Sequence, residues 1–129
     1  MKKLYIKTKM GQILEVKKVE DSVLGGKNYT FKTRSKWNTM HSDFVIGEPT
    51  ENVLDLVDVI IVNRKDKEPT YHTREHSHSL FTNLDFAYQL KRSKDIKEIC
   101  LYVSITDIMN THHDIVKVGE ILENEIKIY

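Results

Sequence analysis

Three of the six histidines fall within seven positions of the stretch YHTREHSHSLF, residues 71–81: His72, His76 and His78. The run His72-Thr73-Arg74-Glu75-His76 matches the letters of a His-x-x-Glu-His zinc-peptidase signature. In that chemistry the two imidazoles bind the ion and the glutamate activates a metal-bound water. It requires both histidines one turn apart on a rigid helix, with a third ligand from further along the chain. Here the motif follows Pro69-Thr70-Tyr71, in a segment with no apolar face to hold a helix. A looser metal set would use His76 and His78, two apart and so on one side of a strand, with His112-His113 supplying a third ligand. The plainer alternative is that these histidines are solvated polar groups or hydrogen-bonding caps. The catalytic version of the motif is a metal-dependent hydrolase with His72, His76 and His78 as ligands and Glu75 as base.

Other routes to catalysis have less behind them. No Gly-x-Ser-x-Gly elbow is present, and the single cysteine, Cys100, sits in the apolar run EICLYVSI and reads as a small buried hydrophobe. Gly25-Gly26 lacks the Lys-Ser/Thr of a phosphate-binding loop. Asp55 and Asp58 are spaced to meet on one helical face, where such pairs are usually solvated charges. Binding is better represented. The N-terminal third interleaves cations (Lys7, Lys9, Lys17, Lys18, Lys32, Arg34, Lys36) with aromatics (Tyr5, Tyr29, Phe31, Trp37). Ammonium or guanidinium groups beside aromatic faces can grip a base and its phosphate. The competing use of the same residues is structural, with aromatics in the core and lysines on the outer face. The candidate ligand-binding set is Arg34, Trp37, Arg74, His76, His78 and Arg92, with no cofactor and no metal implied.

The elements that must position these groups follow from periodicity. KLYIKTK alternates with a period of two, Met10-Gly11-Gln12 supplies a turn, and ILEVKKVE resumes a strand. Gly25-Gly26 offers the positive φ angles of a tight hairpin before KNYTFKTRS. Loops around Trp37 and NTMHS lead to Phe44-Val45-Ile46, and Gly47 and Pro49 then punctuate the chain. TENVLDLVDVIIVNR combines a short helical turn with a buried strand. Residues 64–78 hold no apolar residue except Tyr71 and form the longest loop candidate. Thr82-Asn83-Leu84-Asp85 has the form of a capping box opening the principal helix, about residues 82–93, with Leu84, Ala87, Tyr88 and Lys91 on one face. IKEICLYVSI is a strand, TDIMNTH a turn or helical turn with Thr106 as its cap, and two short strands around Gly119 or Asn124 end the chain. The sum is an α+β fold: a mostly antiparallel sheet or small open barrel, one principal helix and a short helical turn.

At 129 residues the chain is expected to form a single domain, 1–129. Charged residues make up 30% and apolar ones 40%, an ordinary balance for a soluble globular protein. No apolar run approaches the ~18 residues of a membrane span. Lys2 and Lys3 begin the chain as in a signal peptide, but Lys7 and Lys9 interrupt any apolar region after them, so the expected location is cytoplasmic. The net charge of +1 conceals alternating blocks. Residues 1–37 carry ten Lys and Arg against three acids, and residues 38–62 carry five acids and no base. Residues 63–97 are again basic and 98–129 acidic. Blocks of opposite sign can cancel within a fold or pair head-to-tail between subunits, and the expectation is a homo-oligomer.

Two stretches, KTKMGQILEVKKVE and EPTENVLDLVDVIIVN, resemble small phage and prophage accessory proteins of Gram-positive bacteria, which share such a hairpin and a segment like NIIDLIE. The resemblance spans roughly the first half of the chain. Val59-Ile60-Ile61-Val62 departs from it, standing where a Gly-Asp-Tyr-like turn is expected. It carries over no site residue, and it implies a setting, an accessory protein working inside a bacterial cell against host defence. The resulting expectation is a non-enzymatic binding protein whose partner is a host protein or a small anionic, nucleotide-like ligand. The alternatives are the metal-dependent hydrolase and a nucleic-acid-binding regulator acting through the basic N-terminal sheet.

Overall fold

The computed structural model describes residues 3–33, 36–106 and 113–129. Its chain divides into two compact units, residues 1–56 and 57–129, each built on a five-stranded antiparallel sheet. The expected α+β class with mostly antiparallel strands is what the chain adopts.

The first unit contains β1 (Leu4–Thr8), β2 (Ile13–Asp21), β3 (Lys27–Thr33), β4 (Lys36–His41) and β5 (Val45–Thr50), in the order β4-β3-β2-β1-β5. The first four strands form a meander, and β5 returns to the free side of β1. Period-two alternation places Ile6 and Thr8 of β1 and Tyr29 and Phe31 of β3 inside. Ile6, Val16, Tyr29 and Val45 form the core cluster, flanked by Leu4, Leu14 and Met40. Thr8, buried and polar, is satisfied locally: its Oγ1 accepts from the Gln12 N–H at 3.1 Å, which fixes the turn through Gly11. The Gly25-Gly26 hairpin forms as expected, with φ of 87° and 75°. A Cβ on Gly26 would meet Ser42 Oγ at 2.6 Å, because this tip is tied to the turn after β4. There His41 Nε2 lies 2.7 Å from the Gly25 carbonyl, and Ser42 Oγ accepts from the Lys27 N–H at 3.0 Å.

The segment around Trp37 and NTMHS is therefore not a loop. Residues 36–41 form β4, whose backbone pairs in register with β3 from Asn28↔His41 to Thr33↔Lys36. Its side chains are mostly exposed and carry no apolar alternation, so pattern reading passes over it; the ladder supplies what the side chains do not. Gly47 and Pro49 do not end an element either, since both lie within β5. That strand lies at a sheet edge, where a missing N–H costs no ladder bond. The short helical turn is a 3-10 turn over Val53–Leu56.

The second unit contains β6 (Val59–Arg64), β7 (Thr70–Thr73), α1 (His78–Thr82), α2 (Leu84–Lys91), β8 (Ile96–Thr106), β9 (His113–Ile121) and β10 (Ile126–Ile128), in the sheet order β10-β9-β8-β6-β7. The continuous apolar runs become β6 and β8, which are buried on both faces, as consecutive buried residues show: Ile60, Ile61 and Val62 in β6 and Ile99, Cys100 and Leu101 in β8. α2 packs against β8 and β9. Its face of Leu84, Ala87, Tyr88 and Lys91 is the inward one, with Ala87 fully buried.

Four sequence expectations need correction here. The supposed loop 64–78 contains β7, a polar edge strand paired with β6 from Val59↔Thr73 to Val62↔Thr70. The principal helix is shorter than 82–93 and is preceded by the separate helix α1. Its cap is Asn83, whose Oδ1 accepts from the Phe86 N–H at 3.1 Å, whereas Thr82 closes α1 by donating to the His78 carbonyl. Gly119 is no turn residue. It lies within β9 opposite Ile128, where a Cβ would run into the Lys127 carbonyl of β10; the turn falls at residues 122–125, around Asn124. The TDIMNT turn lies outside the described residues. Thr106 is the last residue of β8.

Candidate functional site

β7 and the two helices turn the histidine-rich stretch into one wall of a concavity in the second unit. After Thr73 the chain makes a turn over Arg74–His76, with the Ser77 N–H bonded to the Thr73 carbonyl at 2.8 Å, and enters α1 at His78. A space of about 340 Å³ opens between Arg64 at the end of β6, His72 on β7, the His76–Leu80 segment, and Phe86 and Leu90 on α2. Such a volume suits a small ligand. Its lining is two-sided in chemistry. Arg64, three histidines and two serines make one rim, and Leu80, Phe86 and Leu90 make an apolar wall.

His72 is the fixed member of this set. Its Nδ1 lies 2.8 Å from Ser77 Oγ and its Nε2 lies 2.9 Å from Thr70 Oγ1, so both ring nitrogens are engaged by hydroxyls. Burial pushes its pKa below the usual histidine value, and the nearby Arg64 guanidinium adds to the effect. His72 is therefore neutral at pH 7. Arg64 is held by Asp95, Nη1 to Oδ2 at 2.8 Å, and that pairing lowers the Asp95 pKa. A guanidinium has five N–H donors, so one carboxylate does not exhaust it. His76 and His78 are exposed on the rim.

The geometry does not provide the frame of a zinc peptidase. His72 is on a strand and Glu75–His76 in a turn, so the motif has no helix to align its ligands. Nor do His76 and His78 share one side of a strand, because His78 begins α1. Among the described residues no three His, Cys, Asp or Glu side chains are grouped to hold a metal ion. His112 and the His113 side chain lie outside the described residues. Asp55 and Asp58 each bond separately: Asp55 Oδ2 accepts from Thr50 Oγ1 at 2.7 Å, while Asp58 Oδ2 accepts from the Ser104 N–H at 2.7 Å. Cys100 is buried, as expected, and burial raises its thiol pKa.

Of the candidate ligand-binding residues, His76 and His78 come together in the concavity. Arg74 faces a second, more open depression of about 510 Å³ with Asp58, Tyr71, Thr73, Glu75 and His76. There its Nη2 donates to the Val57 carbonyl at 2.8 Å and its guanidinium lies 4.9 Å from the Phe81 ring centroid, so it braces the turn. Arg92 is the exposed C-cap of α2 and lines neither depression. Trp37 belongs to the first unit, 62% exposed on β4, and Arg34 lies outside the described residues. Tyr29 and Phe31 fill the core, so the structural use of the N-terminal aromatics prevails for both. A depression of about 540 Å³ in the first unit, beside Lys3, Lys17 and Lys18, has its cations drawn to Glu15 and Glu20.

Sequence reasoning missed Arg64, Ser77, Ser79, Phe86 and Leu90. A signal existed for the last two, an i, i+4 apolar pair flanking Ala87 on α2. No helix among the described residues is long and apolar enough to cross a membrane. No protein-family model, curated protein or solved structure matches the chain.

Proposed function

We propose that the chain is a non-enzymatic binding protein whose second unit takes a small anionic ligand bearing an aromatic ring, nucleotide-like in chemistry. The observation that carries this reading is the two-sided lining of the 340 Å³ concavity. Arg64, the rim histidines and the serine hydroxyls suit an anionic group, and Phe86 with Leu90 suits a flat apolar one. The neutral, hydroxyl-bound His72 acts as a fixed post rather than a proton carrier. In the setting implied by the resemblance, a phage-type accessory protein, such binding would sequester a signalling nucleotide of the host. The protein would work as a homo-oligomer in the cytoplasm.

Titration calorimetry with adenosine and guanosine monophosphates, with inorganic phosphate as the simpler anion, tests this. A nucleotide should bind more tightly than phosphate. Arg64→Gln and Phe86→Ala should each weaken binding by about tenfold or more, the worth of one charge-assisted hydrogen bond or one stacked ring. Absence of heat with every nucleotide, or affinity indifferent to both substitutions, would overturn the reading.

A further inference from the structure

The two sheets present four edge strands, β4 and β5 in the first unit and β7 and β10 in the second. An edge strand offers unpaired N–H and C=O groups to any other strand, and proteins blunt such edges by shortness, proline, bulges or charge. Three of the four are blunted. β7 has four residues and β10 three, and β5 contains Gly47 and Pro49 and meets β1 through an irregular register. β4 has none of these devices. It is six residues long, pairs with β3 without a register break, and contains neither glycine nor proline. Its only Lys, Arg, Asp or Glu is Lys36, at one end.

β4 also carries the only tryptophan of the chain, and its first four residues are exposed. Trp37 has the Lys32 amino group 5.5 Å from its ring centroid on the neighbouring strand. The exposed indole adds to this unprotected, nearly uncharged strand an aromatic of the kind enriched where proteins associate.

We infer that β4 pairs antiparallel with β4 of a second copy, joining two first-unit sheets across a twofold axis. Charge on the page selects this occupant. Antiparallel self-pairing sets Trp37-Asn38-Thr39-Met40 against itself, so no like charges oppose one another. It also brings Lys36 alongside the end of the second strand, where the exposed carboxylate of Asp43 follows His41. The contact closes on itself, because a twofold uses the free edge of both β4 strands and leaves neither for a third copy.

Sedimentation equilibrium of the full chain over a concentration series tests this, with Trp37 emission read on the same samples. The wild type should pass from one chain to two, with the emission shifting to the blue as the indole is covered. Successive residues of β4 alternate in directing their N–H toward β3 or away from it. One of Asn38→Pro and Thr39→Pro therefore leaves the β3 ladder intact, and the variant with wild-type circular dichroism is the one to use. Its dimer dissociation constant should rise by about tenfold or more, in line with the loss of a ladder bond. Thr39→Lys, which sets like charges across the pair without touching the backbone, should have the same effect even where both prolines disturb folding. A wild type that stays a single chain at every concentration would overturn the inference. So would a dimer that persists unchanged in Thr39→Lys.

Discussion

His72 is held between the hydroxyls of Thr70 and Ser77, and its burial beside Arg64 disfavours the imidazolium. Because its pKa in the folded chain lies below the ordinary 6.5, the unfolded chain takes up this proton first as the pH falls. The stability that His72 contributes is therefore complete above about pH 6.5 and is lost as the pH drops toward the folded value. Thermal melts followed by circular dichroism should show the wild type losing more stability than His72→Gln between about pH 7.5 and pH 5. Equal losses in the two proteins would mean that His72 is not the group responsible. The carboxylates Glu15, Asp21 and Asp95, whose pKa values are lowered by their lysine or arginine partners, act in a more acidic window and are common to both proteins.

The boundary between α1 and α2 separates a motif's letters from its geometry. Thr82-x-x-Asp85 reads as a capping box, yet the residue with non-helical backbone, φ −114° and ψ 98°, is Asn83. The Asn83 amide oxygen supplies the acceptor for the N–H of Phe86, and Thr82 spends its hydroxyl on the carbonyl one turn back in α1. Asn83→Ala should cost about 1 kcal/mol of stability, as the loss of an N-cap usually does, and Thr82→Ala clearly less. Urea unfolding of the two variants side by side checks the order, and the reverse order would restore the capping box to Thr82. Because α2 presents Phe86 and Leu90 to the concavity, the cap also fixes the apolar wall of the proposed ligand site.

Each unit has its own sheet and its own buried set, and protection should follow position within each sheet. β8 is paired on both sides, by β6 and β9, and its Ile99, Leu101 and Val103 are fully buried. β7 and β10 are short and bonded on one side only. Hydrogen exchange read by mass spectrometry should therefore find the slowest amides of the second unit in β8 and β6, and the fastest strands at β7 and β10. In the first unit β1 and β2 should exchange more slowly than β5. β4 should gain protection as the protein is concentrated, if its edge is covered by a second copy. Exchange that is uniform along the second sheet would contradict this layering.

The sequence by itself determined the parts whose residues pay for their own burial. These are the alternating strand β1, the double-glycine hairpin, the β-branched runs that become β6 and β8, the inward face of α2 and the buried Cys100. In each, the local signal, whether alternation, a continuous apolar run, a helical face or a positive-φ glycine pair, matches the element that forms, so local pattern and tertiary fate agree. Only the tertiary structure decided the rest. β4 and β7 are polar strands, made by the ladder bonds of β3 and β6 rather than by their side chains. Gly119 is required by the close approach of β10, a contact with no trace in its neighbours. The histidine cluster was visible from the start, but its meaning depended on Arg64, Phe86 and Leu90, brought to it from β6 and α2. Those partners convert the letters of a zinc motif into the rim of a ligand-sized concavity.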